Sequence, residues 1–583
     1  MEKRWVIKKQ GEPELVASLS GELNINKNLA NLLVQRGIKN YDQARDFFRP
    51  DLSKLHDPFL MKDMDKAVAR IKKATQDNEK ILIYGDYDVD GTTAVSLVYT
   101  YLKKFHDKLD FYIPDRYSEG YGISYKSIDF ACEKGFKLVI ALDCGIKAVE
   151  KIDYAREKGL DFIICDHHRP GEKLPAAVAV LDPQRGDCNY PFQELSGCGV
   201  GFKLIQAYQQ KEKLPFDDLK QYLDLVVVSI AADIVPVTGE NRILAHYGLK
   251  LLNSNPRPGF EAILFYSNIK RKNQGLNKKV TLTKELNITD LVFLVGPRIN
   301  AAGRIESAKN SVELLVADNF KRAQEIAEQI NNFNTERRSL DAQITQEALD
   351  MIDKDAELKK QKATVVFNPQ WHKGVIGIVA SRLTEVYYRP TVVLTKSNGL
   401  ITGSARSVKD FDVYDAIDSC SDLLEHFGGH KYAAGLSLKP ENLVPFKEKF
   451  NSIVDATIED HMLVPEIEID AVLKLSDINS KFFRILKQFA PFGPGNMSPV
   501  FLAEKLIDTG HARVVGQKHL KLKVIHREIS SLPFPAIAFQ QGHFFEDISN
   551  GNAFNLCYHL EENEWNGVVS LQINVKDIKM EEV

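Results

Sequence analysis

The chain has 583 residues, of which 44% are hydrophobic and 27% charged, and its formal net charge is −3. This composition excludes a disordered or fibrous protein, and the length predicts about three domains, because one hydrophobic core does not extend over so long a chain. A charge near neutrality neither indicates nor excludes a nucleic-acid partner, since such a partner needs only a local basic surface.

Location and redox state follow from two further features of the sequence. The sequence starts without an apolar leader segment and contains no run of about eighteen or more apolar residues, which predicts a cytoplasmic protein. The seven cysteines form no CxxC pair, so the pattern favours reduced, buried thiols over disulfides or a zinc site.

The N-terminal part, residues 1–78, is predicted to be a helical packing arm, since apolar residues near its end recur at helical spacing. From residue 79 to 319, short apolar runs alternate with amphipathic segments. This alternation predicts an α/β domain with a doubly wound parallel sheet. The predicted elements are strand 80–85, helix 92–105, strand 109–113, helix 125–134, strand 137–142, helix 146–158, strand 161–165 and strand 177–181.

The first of these strands ends in three closely spaced carboxylates, Asp86, Asp88 and Asp90, followed by Gly91. Charges this dense repel one another, and hard carboxylate oxygens suit Mg²⁺, Mn²⁺ or Ca²⁺. A helix cap would explain a lone DxD, but three acids exceed what a cap needs. A calcium EF-hand loop is excluded, because Leu97 stands where a bidentate Glu is required. The DxDGT pattern of haloacid-dehalogenase-type phosphatases stays open at this point.

Two other strands of the predicted sheet also end in metal-binding residue types. The strand near 140 delivers Asp143, and the strand near 163 delivers Asp166 with His167 and His168. The carboxyl ends of parallel strands meet at one edge, so we expect these groups to lie beside the three acids of the first strand. Further on, Asp233 is the single acid of an otherwise apolar stretch, and we prefer a metal ligand to a buried ion pair there.

The middle of the chain predicts a long connecting helix and a second α/β domain. Residues 320–355 include a stretch without Gly or Pro and with apolar residues on one side, and residues 356–462 contain two apolar strands. Three small-residue motifs of this second domain suit phosphate, because unpaired backbone N–H groups and a guanidinium can approach one anion together. The predicted substrate contacts in these motifs are His372, Ser404, Arg406, Gly428, Gly429 and His430. Arg116 and Arg304 are predicted phosphate clamps of the first domain.

The C-terminal part, residues 463–583, changes to short strands with turn signals, which predicts an all-β barrel of the OB type. Basic residues cluster at 505–527, among them Lys521 and Lys523. With Phe539, Phe545 and Tyr558 as stacking platforms, they would form a groove for single strands. A solvated edge strand explains any single lysine nearly as well. A second basic run, 270–279, is predicted to be a loop that touches the phosphate backbone.

The motifs taken together resemble a known family. GDYDVDGTT, LDCG, CDHH and AADIVP are similar to the successive motifs of the DHH phosphoesterase superfamily, and this leaves no place for the phosphatase alternative. The segments RINAAGR, HKGVIGIVASRL, GSARS, FGGHKYAAG and PFGPGN resemble the RecJ branch of that superfamily. The resemblance extends over nearly the whole chain, and it implies a DHH domain, a DHH-associated domain and an OB-fold domain.

This resemblance also implies a function and site roles. It implies a metal-dependent exonuclease that hydrolyses single-stranded DNA from the 5′ end in DNA recombination and repair, acting in a cleft between the two α/β domains. The implied metal ligands are Asp88, Asp90, Asp143, His167 and Asp233, holding two Mn²⁺ or Mg²⁺ ions that activate a water. Asp86 is expected to support the ligands or act on water, and His168 to contact the scissile phosphate or donate a proton.

Two alternatives share the same fold. A DHH-type oligonucleotide or cyclic-dinucleotide phosphodiesterase would have the same catalytic residues but no use for a basic C-terminal barrel. A scaffold protein without activity would be expected to have lost ligands, and all of them are present here. The partners expected are single-stranded DNA, a single-stranded-DNA-binding protein and a helicase, with no membrane.

Overall fold

The computed structural model describes residues 2–116, 118–272, 281–527, 532–565 and 568–581. These residues form two compact units. The first unit comprises Pro50–Gln343 together with the short segment Pro491–Asn496, and the second comprises Met1–Arg49, Ile344–Ala490 and Met497–Val583.

The bounds of the strands and helices are as follows. The strands are β1 Arg4–Ile7, β2 Lys80–Gly85, β3 Leu109–Tyr112, β4 Phe136–Leu142, β5 Asp161–Cys165, β6 Ala179–Leu181, β7 Arg271–Lys272, β8 Thr281–Leu282, β9 Thr364–Phe367, β10 Thr391–Ser397, β11 Leu400–Arg406, β12 His426–His430, β13 Ala433–Leu438, β14 Glu466–Ile469, β15 Ala471–Val472, β16 Phe501–Asp508, β17 Arg513–Val515, β18 His519–His526, β19 Phe534–Ala538, β20 Phe554–Trp565 and β21 Val568–Met580. The helices are α1 Pro13–Leu23, α2 Lys27–Gln35, α3 Tyr41–Phe48, α4 Met64–Gln76, α5 Val89–Leu102, α6 Tyr125–Glu133, α7 Val149–Glu157, α8 Gly197–Lys211, α9 Leu223–Ala232, α10 Gly239–Ser254, α11 Pro258–Tyr266, α12 Ile288–Asp290, α13 Gly296–Ile305, α14 Lys309–Leu315, α15 Phe320–Lys354, α16 Ala356–Lys360, α17 Ile376–Tyr387, α18 Val413–Asp418, α19 Leu443–Thr457, α20 Ser480–Lys487 and α21 Phe545–Ser549.

The first unit is built on a five-stranded sheet of order β3-β2-β4-β5-β6, in which every pairing is parallel. This confirms the predicted doubly wound parallel sheet. Ile81, Leu82 and Ile83 of β2 are all at most 1% exposed, because a parallel sheet is covered on both faces and both faces of its strands need apolar residues. The strand order changes direction at β2, because β3 lies on one side of β2 and β4 on the other. In open α/β sheets, ligands bind at such a point, at the carboxyl ends of the two strands.

The second unit contains an α/β sheet and a barrel. Its sheet has the order β12-β13-β11-β10-β9, with β9 and β10 parallel and the remaining pairs antiparallel. The barrel closes through β16, β20, β21, β19 and β18, since β18 also pairs with β16. These sheets confirm the predicted second α/β domain and the OB-type barrel.

The predicted long helix is confirmed as one continuous helix, α15, which contains the boundary between the two units. At 1.5 Å per residue its 35 residues extend over roughly 50 Å. The N-terminal strand β1 pairs in parallel with β14, so residues 4–7 belong to the second unit. The domain limits inferred from sequence remain predictions. Among the described residues, no helix is both long and apolar enough to cross a membrane.

The contact between α5 and the end of β2 depends on Gly91. A Cβ atom at this position would lie 2.4 Å from the Asp86 carbonyl oxygen and 2.6 Å from the Asp86 backbone nitrogen. Backbone atoms cannot rotate away as a side chain can, so the first turn of the helix fits against the strand only with glycine here. The motif glycine therefore has a packing role.

We expect Gly91→Ala to lower the free energy of unfolding by about 1–3 kcal/mol, the usual cost of forcing an extra carbon into a packed site. Urea unfolding followed by far-UV circular dichroism measures this change. Gly186→Ala is the matched control, because a Cβ atom at Gly186 meets no atom within 4 Å. Equal stability of the two variants would contradict the packing role of Gly91.

Candidate metal centre and anion-binding face

Acidic and histidine side chains follow four neighbouring strands of the first unit at the same edge of the sheet. Asp86 follows β2, Asp143 follows β4, the Asp166–His168 triplet follows β5, and Asp182 follows β6. Asp88 precedes α5 and caps it, accepting a hydrogen bond from the Gly91 N–H at 3.1 Å. The edge predicted from the sequence is therefore the edge at which these groups meet.

The imidazole of His167 lies among three carboxylates. Its Nε2 is 3.2 Å from Asp143 Oδ1, 3.6 Å from Asp233 Oδ2 and 3.7 Å from Asp90 Oδ2. His167, Asp90 and Asp143 are each at most 8% exposed, so these groups meet away from bulk water. Four predicted ligands that are far apart in the sequence thus converge on one point.

Candidate ligand atoms of this edge also form three sets of three side chains each. In each of three sets of side chains, the ligand atoms lie within 4.8 Å of one another. These sets are Asp86 with Asp88 and Asp143, Asp90 with His167 and Asp233, and Asp143 with His167 and His168. Asp143 and His167 each belong to two sets, so two adjacent cations could share these ligands.

Three buried atoms of this cluster have no hydrogen-bond partner among the residues that the structure describes. They are Asp86 Oδ1, Asp143 Oδ1 and His167 Nε2. A buried polar atom without a partner is costly, since its interaction with water has been lost and nothing replaces it. Two carboxylate oxygens and an imidazole nitrogen are ligands that Mn²⁺ or Mg²⁺ accepts, so the residues present fit a divalent metal.

Burial and mutual repulsion act on the carboxylates in the same direction. Burial raises the pKa of Asp143 well above its ordinary value, and the charges of Asp90 and Asp88 raise it further. Burial and the charge of Asp88 raise the pKa of Asp86 well above its ordinary value. Burial and the charges of Asp90 and Asp88 raise the pKa of Asp233 to about 8. Cations are needed to keep all these groups ionised at neutral pH.

Asp90 is fixed by groups that sequence reasoning missed. The Gly197 and Cys198 N–H groups at the start of α8 each donate to its carboxylate at 2.7 Å, and the Ser229 hydroxyl donates to Oδ1 at 2.7 Å. A helix N-terminus suits a carboxylate because its N–H groups are unpaired and its dipole is positive. The sequence signal that could have indicated this contact is the glycine-rich start of α8, which follows the capping Ser196.

Asp166 orients the histidine pair. Its Oδ1 accepts hydrogen bonds from the His167 N–H at 2.8 Å and from His168 Nδ1 at 2.7 Å. Burial opposes protonation of His168, but the hydrogen bond and the charge of Asp166 outweigh burial and raise the pKa of His168 to about 9. The other ring nitrogen of His168 is 3.2 Å from the Tyr121 hydroxyl, a contact that the sequence did not predict.

The loop after β6 also supports the pair. The side chain of Gln184 donates to the His167 carbonyl, and the Gln184 N–H donates to Asp182 Oδ1 at 2.7 Å. Burial raises the pKa of Asp182 to about 7. Asp182 is fully buried and was also missed by sequence reasoning, because a single Asp-Pro after a short strand is typical of an ordinary turn.

The two arginines predicted as clamps lie near Tyr87, beside the acids. The Arg116 guanidinium lies over the Tyr87 ring, 4.8 Å from its centroid, and its charge acts on Asp86. Arg304 is in the last turn of α13, and its charge acts on the Tyr87 hydroxyl. Both guanidinium groups are partly exposed. Their charges therefore act on residues at the acidic edge.

In the second unit, the structure brings together the motifs that were predicted to bind phosphate. Ser404 and Arg406 are two apart on β11 and share one face of the sheet, and Arg406 Nη1 donates to Ser404 Oγ at 3.0 Å. A Cβ atom on Gly377, in the first turn of α17, would lie 3.0 Å from Ser404 Oγ and 3.1 Å from Arg406 Nη2. The start of α17 therefore lies directly against both side chains.

The same face continues across two further strands. Ala433 pairs with Arg406 on one side and with His430 on the other, so these three residues form one row. At about 4.8 Å per strand, the Cα atoms of Arg406 and His430 are roughly 10 Å apart. The next row consists of Ser404, Gly435 and Gly428.

Glycines leave this face open. A Cβ atom on Gly428 would meet nothing within 4 Å, and one on Gly435 would meet only a carbonyl oxygen at 4.0 Å. Gly429 is different, because its φ is +155° and a Cβ atom would lie 2.3 Å from the Ala433 carbonyl oxygen. Packing thus explains glycine at 429 but not at 428. His372 precedes α17, and its Nδ1 accepts from the Gly374 N–H at 3.1 Å.

On the barrel, Lys521 and Lys523 lie on the outward side of β18, whose burial alternates along the strand. Lys521 pairs with Arg513 of β17, and the ring centroids of the exposed Phe539 and of His519 are 5.2 Å apart.

The prediction of Tyr558 as a stacking platform was wrong. Tyr558 is 0% exposed, because its position on β20 directs it into the barrel interior. Phe545 is half-buried on α21. Of the predicted basic loop 270–279, residues 273–279 lie outside the described residues.

Comparison with protein families assigns three segments of the chain. Residues 80–230 match the N-terminal domain of the DHH family, residues 360–456 match the DHHA1 domain, and residues 469–577 match the RecJ OB domain. These matches coincide with the parallel sheet, the second α/β sheet and the barrel.

Whole-length relatives agree with this assignment. The chain is 37% identical over 581 residues to the single-stranded-DNA-specific exonuclease RecJ of Bacillus subtilis, covering 99% of this chain and 71% of that protein. It is 31% identical to the Escherichia coli protein of the same name, covering 88% of this chain and 90% of that protein. A crystal structure of Thermus thermophilus RecJ in complex with Mn²⁺ matches with a TM-score of 0.83 and 25% identity, covering 100% of this chain and 80% of that one. The chain therefore belongs to the RecJ family.

Proposed function

We propose that this protein is a metal-dependent exonuclease that hydrolyses phosphodiester bonds of single-stranded DNA. The observation that carries the proposal is the convergence of Asp90, Asp143, Asp233 and His167 on one buried point. The family relatives named as single-stranded-DNA-specific exonucleases support the substrate class. Action from the 5′ end and a role in DNA recombination and repair are supported by the family resemblance.

We infer that Asp88, Asp90, Asp143, His167 and Asp233 hold two divalent ions, Mn²⁺ or Mg²⁺. The three buried atoms without hydrogen-bond partners support this set, as does the Mn²⁺ complex of Thermus thermophilus RecJ. When bound, the ions supply positive charge for the transferred phosphoryl group and lower the pKa of water toward neutrality. The residues themselves keep the ligands in place, since backbone N–H groups and a serine hydroxyl hold Asp90 rigidly.

We assign proton and phosphate contacts to the residues around these ligands. The hydrogen bond and the charge of Asp166 favour the protonated form of His168, which can donate a hydrogen bond to a phosphate oxygen. Asp86 is partnered by the charges of Arg116 and His168 and acts on water or supports the neighbouring ligands. Arg116 and Arg304 fix the DNA backbone as charged hydrogen-bond donors.

We propose that one face of the second unit's α/β sheet binds the terminal nucleotide of the strand. This is the face that carries Ser404, Arg406, Gly428, His430 and Gly435. Arg406 supplies a charged donor, and Ser404, His430 and the N-terminus of α17 supply further polar groups. A Cβ atom on Gly428 would meet nothing within 4 Å, which supports close approach of a ligand to the backbone there. We assign His372, which precedes α17, and Gly429, which is on β12, to the same binding site.

The rival activity, hydrolysis of short oligonucleotides or cyclic dinucleotides, uses the same acids. The barrel favours the long-strand substrate, because Arg513, Lys521 and Lys523 on the adjacent strands β17 and β18, with the exposed Phe539 after β19, suit a phosphate backbone with stacked bases. We also propose a cytoplasmic location. As partners we propose a single-stranded-DNA-binding protein and a helicase, and the family resemblance supports these proposals.

Asp143→Asn should reduce hydrolysis of end-labelled single-stranded DNA by about a thousandfold or more, because the metals supply several kcal/mol of transition-state stabilisation. Chelation of the parent enzyme should have the same effect. Asn keeps the left-handed backbone of Asp143, whose φ is +59°, so the fold is retained. In chelator, the variant should melt at or above the parent temperature, because one buried, repelled carboxylate is removed.

Duplex DNA and dinucleotides serve as comparison substrates in this assay. Full activity of Asp143→Asn, or of the parent in chelator, would falsify the metal assignment. Faster cleavage of dinucleotides than of long single strands would establish the rival activity.

Gly428→Val should raise the KM for single-stranded DNA by about tenfold while kcat and the melting temperature stay near the parent values. Valine suits an edge strand and its Cβ atom would meet no protein atom within 4 Å, but its side chain would fill the space proposed for the terminal nucleotide. Steady-state kinetics with a 5′-phosphorylated oligonucleotide measures the change. Gly429→Ala is the contrasting variant, expected to lower the melting temperature because of its backbone clash. An unchanged KM in Gly428→Val would remove this face from the substrate path.

Replacing both Lys521 and Lys523 by Gln should weaken binding of a long single strand and reduce the slope of log K against log salt by about 1.4, since each phosphate contact contributes about 0.7 on single strands. Fluorescence anisotropy across a salt series measures the slope. Lys576→Gln, an exposed lysine of β21, is the matched control. If the double variant keeps the parent slope, the barrel face does not contact the backbone.

A further inference from the structure

Ile234 combines a strained backbone with an exposed apolar side chain next to the metal centre. It directly follows Asp233, the C-cap residue of α9, and its φ is +60°. A left-handed conformation is unfavourable for a β-branched residue, and the position after a helix C-cap is one where glycine is common. The residue is 63% exposed, so packing of its side chain does not explain why isoleucine is retained there.

The loop after Ile234 is held in place from a remote part of the sequence. The buried Val237 donates its N–H to the Pro494 carbonyl at 2.7 Å, and Asn241 Nδ2 donates to the Pro236 carbonyl at 3.0 Å. A Cβ atom on Gly493 would lie 2.4 Å from Val237 Cγ2, so the turn and the loop are in close contact. Surrounding structure that fixes an unfavourable conformation is the usual condition under which strain persists at functional sites.

The position of Ile234 limits what its side chain can meet. The carboxylate of the preceding residue, Asp233, is 3.6 Å from His167 Nε2, within the group of acids proposed to hold the metals. A phosphate bound at those metals brings its own sugar and base to the rim of the same site. An exposed branched aliphatic side chain offers a surface for the apolar face of a base or deoxyribose and no partner for a phosphate.

We propose that Ile234 is a substrate contact that packs against the sugar or base of the nucleotide next to the scissile phosphate. The strained backbone sets the direction of the side chain, and the turn containing Pro494 keeps it there. The inference rests on the proposed function, and it makes Ile234 a determinant of which polymers the site accepts.

The test uses variants that remove the side chain and relieve the strain together. Ile234→Gly and Ile234→Asn both suit a left-handed backbone, so their melting temperatures should equal or exceed that of the parent. The kcat/KM for single-stranded DNA should nevertheless fall by about tenfold, as expected for the loss of one aliphatic contact. Ile234→Val keeps a branched apolar side chain and should retain most of the activity.

Lys213→Gly is the matched control, because Lys213 is exposed, has a φ of +54° and follows the C-cap of α8. It relieves similar strain away from the acids and should leave activity unchanged. Affinity for Mn²⁺, measured by isothermal titration calorimetry, should be the same in the parent and in Ile234→Gly. A loss of Mn²⁺ affinity or of melting temperature in Ile234→Gly would overturn the proposal in favour of a structural role.

Anisotropy of a labelled single strand with hydrolysis-resistant phosphorothioate linkages, measured with Mn²⁺, gives a readout that needs no catalysis. Binding by Ile234→Gly should be about tenfold weaker than binding by the parent. If the parent binds DNA but does not hydrolyse it with Mn²⁺, the proposed function fails while this measurement still decides the inference. Unchanged binding together with unchanged kcat/KM in Ile234→Gly would overturn the inference alone.

Discussion

The structure depends on repulsion between carboxylates that the parallel sheet forces together. Ligand atoms of Asp86, Asp88 and Asp143 lie within 4.8 Å of one another. Two like charges about 4 Å apart repel by about 4 kcal/mol at the effective dielectric constant of a protein near its surface. Several such pairs exceed what an ordinary domain can offset, so the edge of the sheet is stable with all acids ionised only when cations lie among them.

The two proposed sites handle charge in opposite ways. At the acidic edge, side chains converge, and backbone N–H groups hold a carboxylate such as Asp90 from behind. On the face of the second unit, side chains are missing at Gly428 and Gly435, and Arg406 and His430 lie in the neighbouring row. The first arrangement attracts cations and the second attracts anions. Both are formed by elements with regular backbone hydrogen bonding, which keeps the groups in position before a ligand arrives.

The sequence predicted what depends on local periodicity and on a general rule of topology. The buried strands, the long helix α15 and the barrel followed from spacing, and the meeting of Asp86, Asp143 and His167 followed because parallel strands end at one edge. Contacts between remote segments were not predictable. Ser229 reaches Asp90 across 139 positions of sequence, and no local pattern marks the pairing. Tyr558 was misjudged because the inward or outward direction on a strand depends on how the barrel closes.

The proposed catalytic apparatus is also not a contiguous stretch of chain. The DHH family match ends at residue 230, before Asp233, whose loop is held by the turn containing Gly493 and Pro494. That turn belongs to the first unit although nearly 150 residues of the second unit precede it in the sequence, Ile344–Ala490. A strained residue such as Ile234 can persist under this arrangement, because the segment that fixes its loop is anchored independently of α9.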